Sequence, residues 1–179
     1  LYRGYKPVLW STVEKTALAD AEVEYKDHVS DTVYVSFPII KSNNKKLENC
    51  NVIIWTTTPW TIPANKALAY NQSLTYTVLE IKDEGDFNKQ KVIIAKDLLD
   101  SFVEDCKLSS YKKVLEFSGN EFENTLCSHP FKDMGYQHNI PMLEARFVTT
   151  DQGTGIVHCA PSHGPCLLYT SDAADERNS

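Results

Sequence analysis

Paired cysteines, long apolar runs and a surplus of positive charge are all missing from this chain, and each absence removes a class of function. The five cysteines, at 50, 106, 127, 159 and 166, form no C-x-x-C pair, so neither a zinc ribbon nor a redox dithiol is expected. Cysteines this scattered serve as small core residues, and no metal site is predicted. No apolar stretch approaches the length that spans a bilayer, and no signal-peptide pattern opens the chain. The expectation is a reducing, cytoplasmic setting with no membrane partner. Lysine and arginine number 18 against 24 acidic residues, a net charge of -6. That balance argues against strong autonomous binding to nucleic acid, which relies on cations neutralising phosphates. Any RNA contact is expected to be local or assisted.

What is present is enough for one well-cored domain: 179 residues, 42% of them hydrophobic. The patterning is mostly of period two. In residues 31–40, Val33, Val35 and Phe37 share one face and Tyr34 and Ser36 the other, a strand whose end Pro38 marks as an edge. A polar loop at 41–49 leads to the apolar run 52–55. Further strands are expected at 75–81, 91–95, 145–150 and 156–160, with a short turn and then a strand over 17–25. Short strands or turns are expected around 114–117 and 119–126. One helix is predicted over 96–106, where Leu98, Leu99, Phe102 and Val103 recur at helical spacing and Asp97 is placed as N-cap.

Residues 51–66, NVIIWTTTPWTIPANK, form the stretch that organises the rest. A buried β-branched run ends in Thr56, Thr57 and Thr58, Pro59 and Pro63 stop it continuing, and Trp60 and Thr61 follow. Hydroxyls both donate and accept hydrogen bonds, so a cluster at a strand end suits a water, an ester carbonyl or a ribose. Equally, threonines build strands and prolines end them. Downstream, Gly153, Thr154 and Gly155 lack the rest of a G-x-G-x-x-G fingerprint and the helix after it, so they read as a tight turn. His158 then projects from an apolar strand, a position that also suits a hydrogen-bonded core histidine. His129, beside Pro130, reads as structural, and His28 and His138 fall in polar loops.

WTTTPWTIPAN resembles the threonine-rich signature of the editing insertion in isoleucyl-tRNA synthetases. Valyl and leucyl relatives carry a threonine pair, an arginine, a proline and an acid there, where this chain has Thr58, Pro59 and Trp60. Gly153 to Gly155, Val157–His158, Ala160–Pro161 and His163–Gly164 resemble the family's second signature. Tyr2, Arg3, Gly4, Lys6, Pro7, Val8 and Trp10 resemble its entry strand. The resemblance covers residues 1–165 and divides the chain into an entry strand from a catalytic core (1–15), an editing domain (16–165) and a non-native tail (166–179). The tail, CLLYTSDAADERNS, resembles a translated sequencing adaptor. It puts Cys166 and Leu167 where the family has an acidic pair.

The resemblance implies an α+β, β-rich fold, a twisted sheet or barrel with one short packed helix. It implies a fragment of an isoleucine-tRNA ligase whose editing domain hydrolyses valyl-tRNA(Ile) with a positioned water. His158 and Thr57 are the implied catalytic residues, and Thr56, Thr58, Trp60 and Asn65 the implied substrate contacts. The implied partners are the acceptor end of tRNA(Ile) and the catalytic core of the parent. No cofactor is expected in this stretch, ATP and Mg belonging to that core, whose HIGH-type and KMSKS-type signatures are absent here. Two alternatives stand beside this reading, a free-standing deacylase and a noncatalytic module that binds the acceptor end.

Overall fold

A computed structural model describes residues 8–27, 29–82 and 87–161. The expected entry strand (in part), His28, most of the expected turn at 83–88, His163, Gly164 and the tail from 166 lie outside the described residues. The chain divides into two compact units, Leu1–Asp31 and Thr32–Ser179.

In the first unit, β1 (Trp10–Ser11) and β2 (Thr16–Ala17) form a small antiparallel hairpin. The Leu18 N–H extends it by donating to the Leu9 carbonyl at 2.8 Å. The strand expected over Val23 and Tyr25 does not form: a 3-10 turn at Asp20–Glu22 is followed by unladdered chain, with Val23 half-buried and residues 24–27 exposed. Alternation alone cannot make a strand without a neighbouring strand to supply its hydrogen bonds.

Among the described residues the second unit holds a mixed sheet of nine strands. In chain order these are β3 (Val33–Lys41), β4 (Asn51–Thr56), β5 (Ala67–Tyr70), β6 (Thr75–Ile81), β7 (Lys91–Ala95), β8 (Tyr111–Ser118), β9 (Leu126–Ser128), β10 (Asn139–Glu144) and β11 (Ile156–Cys159). Their order across the sheet is β11-β5-β10-β9-β3-β4-β7-β6-β8. The two ends are not joined by hydrogen bonds, so the sheet is open and not a barrel. Pairing is antiparallel except for β10 with β5 and β4 with β7. Although β11 and β4 are well separated in that order, they pack against each other, which carries the end of one strand to the end of the other.

Alternate side chains of the central strands enter two cores. Val52 and Ile54 of β4 and Ile93 of β7 join Phe37, Tyr76, Phe122 and Ile156 on one face. Ile53, Val92 and Ile94 face the other way, onto Leu99 and Phe102 of the helix α1 (Leu99–Asp105). Burial on both faces is why these strands read as continuous apolar runs. The helix begins later than its spacing predicts. Lys96–Leu98 is a 3-10 turn, so Asp97 lies inside that turn and caps nothing, and Leu98 precedes the α-helix without a side-chain cap.

Two other expectations are corrected. Pro38 does not mark an edge: β3 is an interior strand, and Ile39 and Lys41 pair with β9 just beyond it. The Ile39 N–H points to the Cys50 carbonyl on the β4 side. By alternation Pro38 turns its missing N–H the other way, where the β9 ladder begins one residue later. Residues 145–150 are not a strand. They turn, with Val148 N–H donating to the Ala145 carbonyl, and the strand is β10 just before them. Pro141 conceals it in the sequence. It sits where β10 stops pairing with β9 and starts pairing with β5.

Candidate functional site

The end of β4 and the face of β11 border an open-sided cavity of about 180 Å³, lined by Trp55, Thr56, Thr58, Thr61, Val157, His158 and Ala160. It is little larger than the ~150 Å³ cavities that take up a benzene-sized molecule. Among the described residues its lining carries no acid, lysine or arginine.

Local geometry turns the hydroxyls inward. After β4 the chain enters a 3-10 turn at Pro59–Ala64, with Pro59 at its first position where a missing N–H costs nothing. The Thr58 N–H donates to Thr56 Oγ1 at 3.0 Å, and the two hydroxyl oxygens lie 3.2 Å apart. One turn on, Thr61 Oγ1–H donates to the Thr58 carbonyl at 2.8 Å. Having spent its proton there, Thr61 Oγ1 accepts from His158 Nε2–H at 2.8 Å.

Asn65, fully buried at the end of the turn, fixes the other side of the imidazole. Its Nδ2 lies 2.7 Å from His158 Nδ1 and 3.0 Å from the Ala67 carbonyl. A carbonyl only accepts, so the amide must present Nδ2 to it, and the same NH₂ group donates to His158 Nδ1. Thr61 therefore takes a proton from His158 Nε2, and Asn65 faces Nδ1 as a donor.

The second signature is placed by its glycines. Gly153 and Gly155 have φ of +83° and +71°. A Cβ on Gly155 would stand 2.4 Å from Ala95 Cβ. The Ala95 N–H donates to the Thr154 carbonyl at 2.8 Å, and Tyr76 OH donates to the Gly155 carbonyl at 2.9 Å. Burial pushes the Tyr76 phenol up to about 12, so it stays a protonated donor. The turn is thereby locked to β7 and β6, and β11 leaves it in fixed register against β5, with His158 opposite Leu68.

Of the residues singled out in the sequence, Thr56, Thr58 and His158 meet at the cavity, and Asn65 stands directly behind His158. Thr57 and Trp60 are exposed, Trp60 at 73%, and neither lines the cavity. Thr61 is the residue whose role the sequence did not single out. Its spacing of three from Thr58, which closes a 3-10 turn, was the available signal. His129 is buried, its Nε2 donating to the Ile62 carbonyl at 3.0 Å, and His138 Nε2 donates to the Asn65 carbonyl at 2.9 Å. Among the described residues no three His, Cys, Asp or Glu side chains gather as metal ligands would.

Comparison with known proteins identifies relatives of this arrangement. The family model of the class I tRNA synthetases (I, L, M and V) matches residues 1–153. The chain is 66% identical over 174 residues to the isoleucine--tRNA ligase of Pelagibacter ubique, covering 94% of this chain and 19% of that protein. It is 48% identical over 171 residues to the isoleucine--tRNA ligase of Gluconobacter oxydans, covering 92% and 18%. The chain thus spans about a fifth of the length of the curated relatives it matches. Among solved structures, GlLeuRS-CP1 matches with a TM-score of 0.63 at 16% identity, covering 83% of this chain and 62% of that one. The P. falciparum cytosolic leucyl-tRNA synthetase editing domain matches with a TM-score of 0.56 at 14% identity, covering 74% and 49%.

Proposed function

Because this chain belongs to the class I tRNA synthetases of the I, L, M and V group, we propose that its cavity hydrolyses the ester of valine mischarged onto tRNA(Ile). The observation that carries this reading is the convergence of Thr56, Thr58, Thr61 and His158 on one small neutral cavity. The isoleucine--tRNA ligases among its relatives supply the need for it. One methylene is worth about 1–3 kcal/mol in an apolar site, a limit for which isoleucyl-tRNA synthetases are the standard illustration, so a second site must remove valine.

In this reading the valyl side chain enters between Trp55, Val157 and Ala160, and the bulkier isoleucyl side chain is excluded by overlap. A water held by the threonine hydroxyls attacks the ester carbonyl carbon. The carbonyl–ribose bond breaks, releasing valine and the ribose hydroxyl of the tRNA. His158 contacts the terminal ribose and helps orient that water. Thr57 and Trp60, exposed beside the cavity residues, contact the arriving acceptor end. Rate enhancement comes from orientation and hydrogen bonding, without a protein nucleophile, cofactor or metal in this stretch. Activation of isoleucine with ATP and Mg is assigned to the remainder of a cytoplasmic parent, which would present the tRNA.

A second reading, a module that binds the acceptor end without turnover, is favoured by the lack of a carboxylate among the described cavity residues. Without a charge-assisted contact to the substrate's ammonium group, about 1.5–3 kcal/mol of binding is forgone. Measuring valyl-tRNA binding and single-turnover hydrolysis on one preparation separates the two readings. Release of valine supports editing, and saturable binding without release supports the module.

A further inference from the structure

Trp55 borders two hollows. One is the 180 Å³ cavity, and the other is a groove of about 540 Å³ lined in part by Tyr34, Leu98 and the α1 residues Ser101 and Asp105. Along β4, Trp55 shares a face with Ile53, which packs onto α1, whereas Thr56 turns to the opposite face. Its cross-strand partner in β3 is Tyr34. That tyrosine is fixed, its ring meeting Phe102 edge-on at 5.2 Å and its OH donating to Asp105 at 2.6 Å. The glycine turn lies against the indole as well: a Cβ built on Gly153 would stand 3.6 Å from Trp55 Cε3. The rest of the cavity lining offers no comparable wall. Thr56, Thr58, Thr61 and His158 are tied to one another by hydrogen bonds. Val157 is 39% exposed and borders solvent. Ala160 presents only a methyl group. Trp55 is the large apolar side chain of the lining, and it is backed by a groove.

We propose that Trp55 is the specificity-determining residue of the editing site: its indole is the partition between cavity and groove, and that partition denies room to the methylene by which isoleucine exceeds valine. The proposal rests on the editing reading and names the side chain behind its selectivity. Overlap rejects a larger acyl group only where the wall does not yield. Here the wall is backed by the anchored Tyr34 and by the Gly153 turn. Cut back, it joins the cavity to the 540 Å³ groove, where Leu98 supplies apolar surface for the added methylene. A smaller residue at position 55 therefore adds a substrate. Mere loosening of the fold would only remove one.

The test compares wild type, Trp55→Ala and Trp55→Leu, the last keeping a smaller apolar wall. Two readouts are taken on the same samples. The first is the affinity for non-hydrolysable adenosine analogues that carry valine or isoleucine in amide linkage at the 3′ position. The second is single-turnover hydrolysis of valyl-tRNA(Ile) and isoleucyl-tRNA(Ile). Wild type is expected to prefer the valyl analogue about tenfold or more. W55A should bring that ratio close to one by binding the isoleucyl analogue more tightly, with hydrolysis of isoleucyl-tRNA rising in step, and W55L should fall between. A folded W55A that keeps the wild-type ratio, or that loses affinity for both analogues equally, overturns the proposal. If W55A does not fold, a wild-type ratio in folded W55L overturns it instead. A wild type that binds both analogues alike, or neither, overturns it too. If wild type discriminates in binding but hydrolyses nothing, the editing reading fails while the ratios still decide the role of Trp55.

Discussion

A single hydroxyl decides much of the site's order. Thr61 both donates to the Thr58 carbonyl and accepts from His158, so Thr61→Val breaks two bonds at once while keeping the shape. Hydrolysis of valyl-tRNA by the valine variant should fall about tenfold, near the net worth of one or two hydrogen bonds, whereas Thr61→Ser should stay close to wild type. Single-turnover rates check both. His129 makes a prediction about pH. Burial is the main cause lowering its pKa from the ordinary 6.5, with the neighbouring His138 and Lys66 charges adding to it and the Ile62 hydrogen bond opposing. The unfolded chain therefore binds more protons than the folded one below about pH 6.5. Stability should rise with pH through that window and level off above it. Urea midpoints measured from pH 5 to 8 should follow this course, and His129→Gln should flatten it.

The elements show how much was legible beforehand and why the rest was not. The threonine strand, the glycine turn and His158 were readable because each is local: a run, a turn and a strand within a few residues. Asn65 was readable only as a match to a signature, since its partners His138 and His158 lie 73 and 93 residues away. β10 was missed because Pro141 looks like a breaker unless one knows that the strand changes partners there. The turn at Gly155 gives a prediction of its own. Gly155→Ala places a Cβ 2.4 Å from that of Ala95 at a positive φ, and should destabilise by more than about 1 kcal/mol, displacing β11 and with it His158. In β6 the opposite is expected. Thr77 Oγ1 is buried without a hydrogen-bond partner, so Thr77→Val should leave stability unchanged or raise it by up to about 1 kcal/mol in a denaturation series.

At the scale of the whole molecule, an open sheet brings two distant strand ends together, and the cavity is the product. β4 is held in the middle of two cores, one of them closed by α1, and β11 is held by β5 and by the locked turn before it. The threonines and the histidine therefore belong to different parts of the chain but to one rigid wall, which a site that discriminates by one methylene requires. The direct test is single-turnover deacylation of valyl-tRNA(Ile) and isoleucyl-tRNA(Ile) by the chain carrying Cys166→Asp and Leu167→Asp, with and without His158→Ala. Fast release of valine, sparing of isoleucine and a loss of about tenfold or more in His158→Ala are the predicted results. A folded protein that hydrolyses neither ester, or both at the same rate, would contradict the account.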